Sequence, residues 1–249
     1  MSQFLTLAVD DSGRGAALPL VFLHSAGGNA SHFEAQLKHF RRTRRALAFD
    51  LRGHGRSAGG RSDDLAQHAA DVLGSLDQQG LRRVALCGHS WGSAVALEAA
   101  AREPSRFAGV FFIDPASDGR AIPQAEADGL LAALAADYEA TVTAYWRSLL
   151  VGARPDDAKR VLEALLSSAP DVVIGTLACT LRWDPVSRLE ALTMPRHALI
   201  TPFNDVPSAW HRLVPSLQHS RIEHTSHWPH VDAPDEVNER LERFFEPLR

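Results

Sequence analysis

The stretch Gly88-His89-Ser90-Trp91-Gly92 limits what this chain can fold into more than any other. Residues 83–87 before it form an apolar run with the character of a buried strand, and residues 91–102 after it carry a helical pattern that stops before Pro104. A strand must therefore reverse into a helix within one residue. That reversal forces Ser90 to positive φ, a strained conformation that costs about 1–3 kcal/mol. At Gly88 and Gly92 the neighbouring strand and helix come too close for a Cβ. The turn lifts the Ser90 hydroxyl above the sheet, at a helix N-terminus whose dipole favours developing negative charge. G-x-S-x-G also arises by chance, and its strand–turn–helix setting is what gives it weight. The competing reading is a plain helix N-cap between two glycines.

The rest of the chain supplies a sheet to carry that turn. Apolar runs at residues 20–24, 46–50, 83–87 and 109–113 are near-continuous, as strands buried on both faces should be. Two further strands are expected at 197–201 and 221–223, and an antiparallel edge strand at 4–9. Helices are expected at 31–40, 62–79, 91–103 and 234–245. Alternating strands and helices predict an α/β fold with a mostly parallel central sheet flanked by helices. Residues 116–192 hold no convincing strand and read as four short helices broken by Pro123, Gly152, Pro155 and Pro170. They are expected to form an inserted helical cap, with residues 1–115 and 193–249 as the core.

At 249 residues and a net charge of -4, the chain suits one such domain and shows no global attraction to nucleic acid. The basic run Arg41-Arg42-Thr43-Arg44-Arg45 reads as a solvated connector between helix and strand, with a phosphate or partner contact as the alternative. Cys87 and Cys179 lack metal-ligand spacing, and Cys87 in an apolar strand reads as a buried thiol, although one disulfide stays open. Met1-Ser2-Gln3-Phe4 has no positive region followed by an apolar one, and no apolar run is long enough to cross a bilayer. The expectation is a cytoplasmic protein.

Three loops can complete a reactive site around Ser90. His24-Ser25-Ala26-Gly27-Gly28 follows the first parallel strand, and its small residues let backbone N–H groups face a carbonyl oxygen. The Ala26 and Trp91 N–H groups are the candidate oxyanion donors. Among 12 histidines, His227 is the candidate base, because it lies in the loop before the last helix, at the carboxyl end of a strand. His224, His227 and His230 also make an H-x-x-H-x-x-H spacing, for which a metal site is the alternative reading. Pro229 argues against one helix presenting all three, and neither a metal nor a cofactor is expected. The acid that orients the histidine is expected at Asp205, in the order serine, acid, histidine, with Asp114 as the runner-up.

With these residues placed, the chain resembles the α/β-hydrolase superfamily, and within it the capped esterase and lactonase-like members, over about residues 4–115 and 193–246. Asp50-Leu51-Arg52-Gly53-His54-Gly55-Arg56-Ser57 is similar to that family's D-x-R-G-H-G-x-S loop. Ser226-His227-Trp228-Pro229-His230-Val231-Asp232-Ala233-Pro234 resembles its histidine loop, G-H-x-x-x-x-E-x-P. The resemblance implies Ser90 as nucleophile, Asp205 as acid, His227 as base, and the Ala26 and Trp91 N–H groups as oxyanion hole. Three positions depart from the pattern: Ser25 follows His24 where glycine is common, Pro202 stands in the acid loop, and Ser226 precedes His227.

The activity implied is cleavage of a small carboxylic ester or lactone through an acyl-enzyme on Ser90. The partners expected are that substrate and at most a second copy of the chain, with no nucleic acid and no membrane. The same triad also serves C–C bond hydrolases and lyases, and a capped triad with slow turnover can act as a ligand receptor. Dehalogenases and epoxide hydrolases of this fold need an aspartate where Ser90 stands. Ser25, Trp146 and Trp183 are the candidate substrate contacts, and Tyr138 and Tyr145 add aromatic surface in the cap.

Overall fold

A computed structural model of the chain describes residues 4–248. The expectation drawn from Met1, Ser2 and Gln3 lies outside the described residues. The strands are β1 (Val9–Ser12), β2 (Leu20–Leu23), β3 (Ala46–Phe49), β4 (Val84–His89), β5 (Phe107–Ile113), β6 (Arg196–Ile200) and β7 (Gln218–Arg221). They form one sheet in the order β1-β3-β2-β4-β5-β6-β7, in which only β1 runs antiparallel to its neighbour. Strands β2 to β5 are buried at every residue, which explains why they read as unbroken apolar runs.

Helices α1 (Glu34–Phe40), α2 (Leu65–Gln78) and α3 (Trp91–Arg102) connect the first strands. Helix α2 begins three residues later than the expected start, because Asp64 is its N-cap and accepts from the Ala66 N–H at 2.8 Å. Between β5 and β6 the chain inserts α4 (Gln124–Ala136), α5 (Tyr138–Leu149), α6 (Pro155–Ser167), α7 (Pro170–Ala178) and α8 (Pro185–Ala191). The four expected cap helices are thus five α-helices. Asp137 leaves the helical region at φ −146° and caps α5, and Asp184 caps α8 ahead of Pro185. Short helices α9 (Trp210–Leu213) and α10 (Pro229–Asp232) precede α11 (Pro234–Phe245), whose Val237, Leu241 and Phe245 are buried against the sheet.

Both outer strands differ from expectation. The edge strand lies at Val9–Ser12, not residues 4–9, and pairs Val9 with Phe49 and Ser12 with Ala46. Before it, side chains take over the backbone: the Leu5 N–H donates to Asp71 Oδ1 at 2.7 Å, Leu7 N–H to Ser75 Oγ at 2.9 Å and Ala8 N–H to Ser57 Oγ at 2.8 Å. Strand β7 is four polar, mostly exposed residues, so no apolar run marked it. The basic connector is tied to β1. Arg41 pairs with Asp10 at 2.7 Å and Arg45 with Asp11 at 2.6 Å. Cys87 and Cys179 are both buried free thiols. Among the described residues, no single helix is long and apolar enough to cross a membrane.

Candidate active site

Ser90 sits at the end of β4 with φ +52° and ψ −121°, followed at once by α3. The cost of that conformation is met by the surrounding packing. A Cβ on Gly88 would lie 2.4 Å from the Gly92 carbonyl oxygen, and one on Gly92 would lie 2.4 Å from the His24 carbonyl oxygen. The Ser90 N–H is fixed by the Ile113 carbonyl of the neighbouring strand at 3.0 Å.

Ser90 Oγ lies 2.8 Å from His227 Nε2, and His227 Nδ1 lies 2.6 Å from Asp114 Oδ2. Asp114 is fully buried, at 0% exposure, so its charge needs several donors. It receives three: the Thr201 N–H at 2.8 Å, the Thr201 hydroxyl at 2.7 Å and the His227 Nδ1–H. The carboxylate fixes the ring with its proton on Nδ1, leaving Nε2 to accept from Ser90.

Asp205, expected at this position, does not reach His227. It is held on the surface by Arg212 at 2.6 Å, by Arg221, and by His211 at 3.3 Å. Hydrogen bonding to Arg212 lowers its pKa. Pro202–Asn204 form one turn of 3-10 helix after β6, which points Asn204 inward and leaves Asp205 facing out. The Asn204 amide donates to the Asp114 carbonyl at 3.2 Å and lies 3.5 Å from His227 Nδ1.

The motif loops brace the site from behind. The Leu51 N–H donates to His24 Nε2 at 2.9 Å, and His24 Nδ1 then donates to the Ser25 carbonyl at 2.7 Å. The Gly27 N–H donates to His54 Nε2 at 3.1 Å, while His54 Nδ1 donates to the Arg52 carbonyl at 2.9 Å. Both rings are thereby neutral struts of the Ser25–Gly28 turn. Burial lowers the pKa of His54 to about 4 and that of His24 well below its usual value. Asp50 ties the same loop to Ala30 N–H at 2.7 Å and to Arg56 at 2.7 Å. Buried His89, inside the elbow itself, donates from Nε2 to the His227 carbonyl at 2.7 Å. Ser226, in place of glycine, donates from N and Oγ to Asp232 Oδ2 at 2.8 and 2.6 Å and pins the histidine loop. These supports sit inside the quoted motifs. Thr201 had no signal beyond its place at a strand end.

A cavity of about 410 Å³ opens above Ser90. Ser25, Ala26, Trp91 and His227 line its floor, and α5 and α7 roof it through Trp146, Leu149 and Thr176. Ala26 and Trp91 stand beside Ser90, and Trp91, as the first residue of α3, has an N–H free of helical partners. The Trp91 indole is fixed by donation to Cys179 Sγ at 3.2 Å. The Ser25 hydroxyl is buried and has no partner. Of the expected substrate contacts, Ser25 and Trp146 line this cavity and Trp183 does not. The Trp183 indole instead donates to Glu98 at 3.0 Å and stacks under Arg188. Tyr145 lines the cavity and Tyr138 does not. The histidine triplet is dispersed: His224 faces Glu236 at the surface, His227 faces Ser90, and His230 is buried against Phe33. Among the described residues, no group of three or more such ligands could hold a metal.

A serine on a strained turn, a buried histidine–carboxylate pair behind it and a capped cavity above it are the architecture of a hydrolase. The chain belongs to the alpha/beta hydrolase family, which it matches over residues 20–240. It is 35% identical over 122 residues to the dihydrolipoyllysine-residue acetyltransferase component of the acetoin cleaving system of Pseudomonas putida, covering 49% of this chain and 33% of that protein. It thus spans about a third of the length of the first curated relatives it matches. It is 26% identical over 201 residues to 3-oxoadipate enol-lactonase 1 of Acinetobacter baylyi, covering 78% and 74% of the two chains. Among solved structures, a thermophilic esterase from Thermogutta terrifontis superposes with a TM-score of 0.84 at 22% identity, over 96% of this chain and 93% of that one.

Proposed function

We propose that the protein cleaves a carboxylic ester or lactone through an acyl-enzyme on Ser90, with His227 as general base and Asp114 as the acid that orients it. The observation that carries this reading is the unbroken hydrogen-bonded line from Ser90 Oγ through His227 to Asp114 Oδ2, at 2.8 and 2.6 Å. His227 takes the Ser90 proton as Oγ attacks the carbonyl carbon. The oxyanion is held by the Ala26 and Trp91 N–H groups, with the unpartnered Ser25 hydroxyl close by as a further donor. His227 then protonates the leaving alkoxide; in the second half it takes a proton from the water that attacks the acyl carbonyl and returns it to Ser90 Oγ as the acyl–serine bond breaks and the acid leaves. The histidinium formed in each half-reaction is stabilised by buried Asp114. The likeness to a lactonase and an esterase supports the substrate type.

The test is a Ser90→Ala variant assayed on p-nitrophenyl esters. We expect kcat/KM to fall by at least about 1,000-fold. Undiminished turnover in that variant would remove Ser90 from the mechanism.

A further inference from the structure

Two features of the cavity above Ser90 bear on what enters it. The first is its lack of charge. Apart from His227, no lining residue is a histidine, lysine, arginine, aspartate or glutamate. Two threonine hydroxyls of α7 and its C-terminal turn are already engaged: Thr176 Oγ1 donates to the Val173 carbonyl at 2.7 Å and Thr180 Oγ1 to the Leu177 carbonyl at 3.0 Å. The Asn204 amide is engaged by the Asp114 carbonyl. What faces the space away from Ser90 is therefore mostly hydrocarbon and aromatic surface with no charged group, and a carboxylate moved there would lose hydration without gaining an ionic partner.

The second feature is the mouth. Only a few large apolar side chains among the described residues are exposed, and three of them, Ile122, Tyr145 and Phe203, line this one cavity. Exposed apolar side chains gathered at a pocket rim mark a surface that something apolar covers. They are continuous with the cavity that Ser90 lines. Two cations, Arg120 and Arg182, line an adjoining groove that shares Ile122 and Leu181 with the cavity. Arg120 is paired with Asp118 and Asp184, each at 2.7 Å; Arg182 lies outside the cavity's own lining, exposed to water and 4.0 Å from Asp128.

We propose that this site selects an uncharged ester or lactone whose apolar chain runs from Ser90 out to the Ile122–Tyr145–Phe203 rim, and that it rejects substrates with a carboxylate on that chain. The proposal rests on the reading of Ser90 as the nucleophile. Ser25, the one buried hydroxyl left unpartnered here, sits at the reacting end, so polarity is concentrated where the carbonyl lies and withheld from the chain.

The test is a set of kcat/KM values on the full chain. One series lengthens the acyl side (p-nitrophenyl acetate, hexanoate and octanoate) and a second lengthens the alcohol side (ethyl and octyl acetate). The half-ester p-nitrophenyl hydrogen adipate supplies the charged counterpart of the hexanoate. In at least one series the longest chain should exceed the shortest by about tenfold or more, since each newly buried methylene favours binding. The adipate half-ester should fall about tenfold or more below the hexanoate. The Ile122→Ser/Phe203→Ser double variant should shrink the long-to-short ratio of the series that rises, by about threefold or more. Flat profiles in both series, an adipate half-ester turned over as well as the hexanoate, or a ratio unmoved in the double variant would each overturn the proposal. Failure to turn over any ester, with Ser90 unreactive toward a fluorophosphonate, would instead overturn the underlying reading of Ser90.

Discussion

At the scale of single residues, the site turns on a phase of one position. Asn204 and Asp205 are adjacent, and one turn of 3-10 helix aims the first at His227 and the second at Arg212 and Arg221. Sequence order allowed an acid at either Asp114 or Asp205, because both follow a strand and both precede His227. Order says nothing about which way a short turn faces. The deciding contacts are Thr201 to Asp114, 87 positions apart, and Arg212 and Arg221 to Asp205, 7 and 16 positions apart, and none of them follows from strand order. Ser90 and its glycines were legible because their constraint is local: a strand end, a helix start and no room for a Cβ. Asp114 carries a local mark too, a φ of +40°, but that is visible only in the fold.

At the scale of elements, the buried parallel strands announced themselves because burial on both faces demands continuous apolar sequence. The two outer strands did not, since Gln218–Arg221 is polar and exposed and Val9–Ser12 carries the two aspartates that pair with the basic connector. Trp183 illustrates the same limit in the cap. Its aromatic surface suggested substrate, yet it belongs to a tether between α8 and α3. Glu98 on α3 accepts from Trp183, Arg102 and Arg188. Burial alone would raise the Glu98 pKa, but these bonds bring it below the usual value. The Glu98→Ala variant should lower the free energy of unfolding by about 1–2 kcal/mol, discounted for the partly exposed arginines, in urea titrations. Unchanged stability would show that the tether contributes nothing.

At the scale of the whole molecule, the chain buries many histidines in neutral form. Burial lowers the pKa of His32 and His54 to about 4, and those of His24, His89 and His230 well below the usual value. The unfolded chain binds these protons near pH 6.5, while the folded chain does not until far lower pH. Stability is therefore intact above about pH 6.5 and falls as pH drops toward 4, by about 1.4 kcal/mol per pH unit for each such group. Thermal midpoints should decline steeply from pH 7 to pH 5, and a flat profile would contradict the burial of these rings as neutral groups. All of these rings lie behind or beneath the reacting line, whose acid is tested by one comparison. That comparison is kcat/KM on a p-nitrophenyl ester for Asp114→Asn beside Asp205→Asn. Asp114→Asn should lose about 10,000-fold, as an imidazole held in the wrong tautomer should give, with Asp205→Asn close to the parent. A large loss confined to Asp205→Asn would contradict Asp114 as the acid.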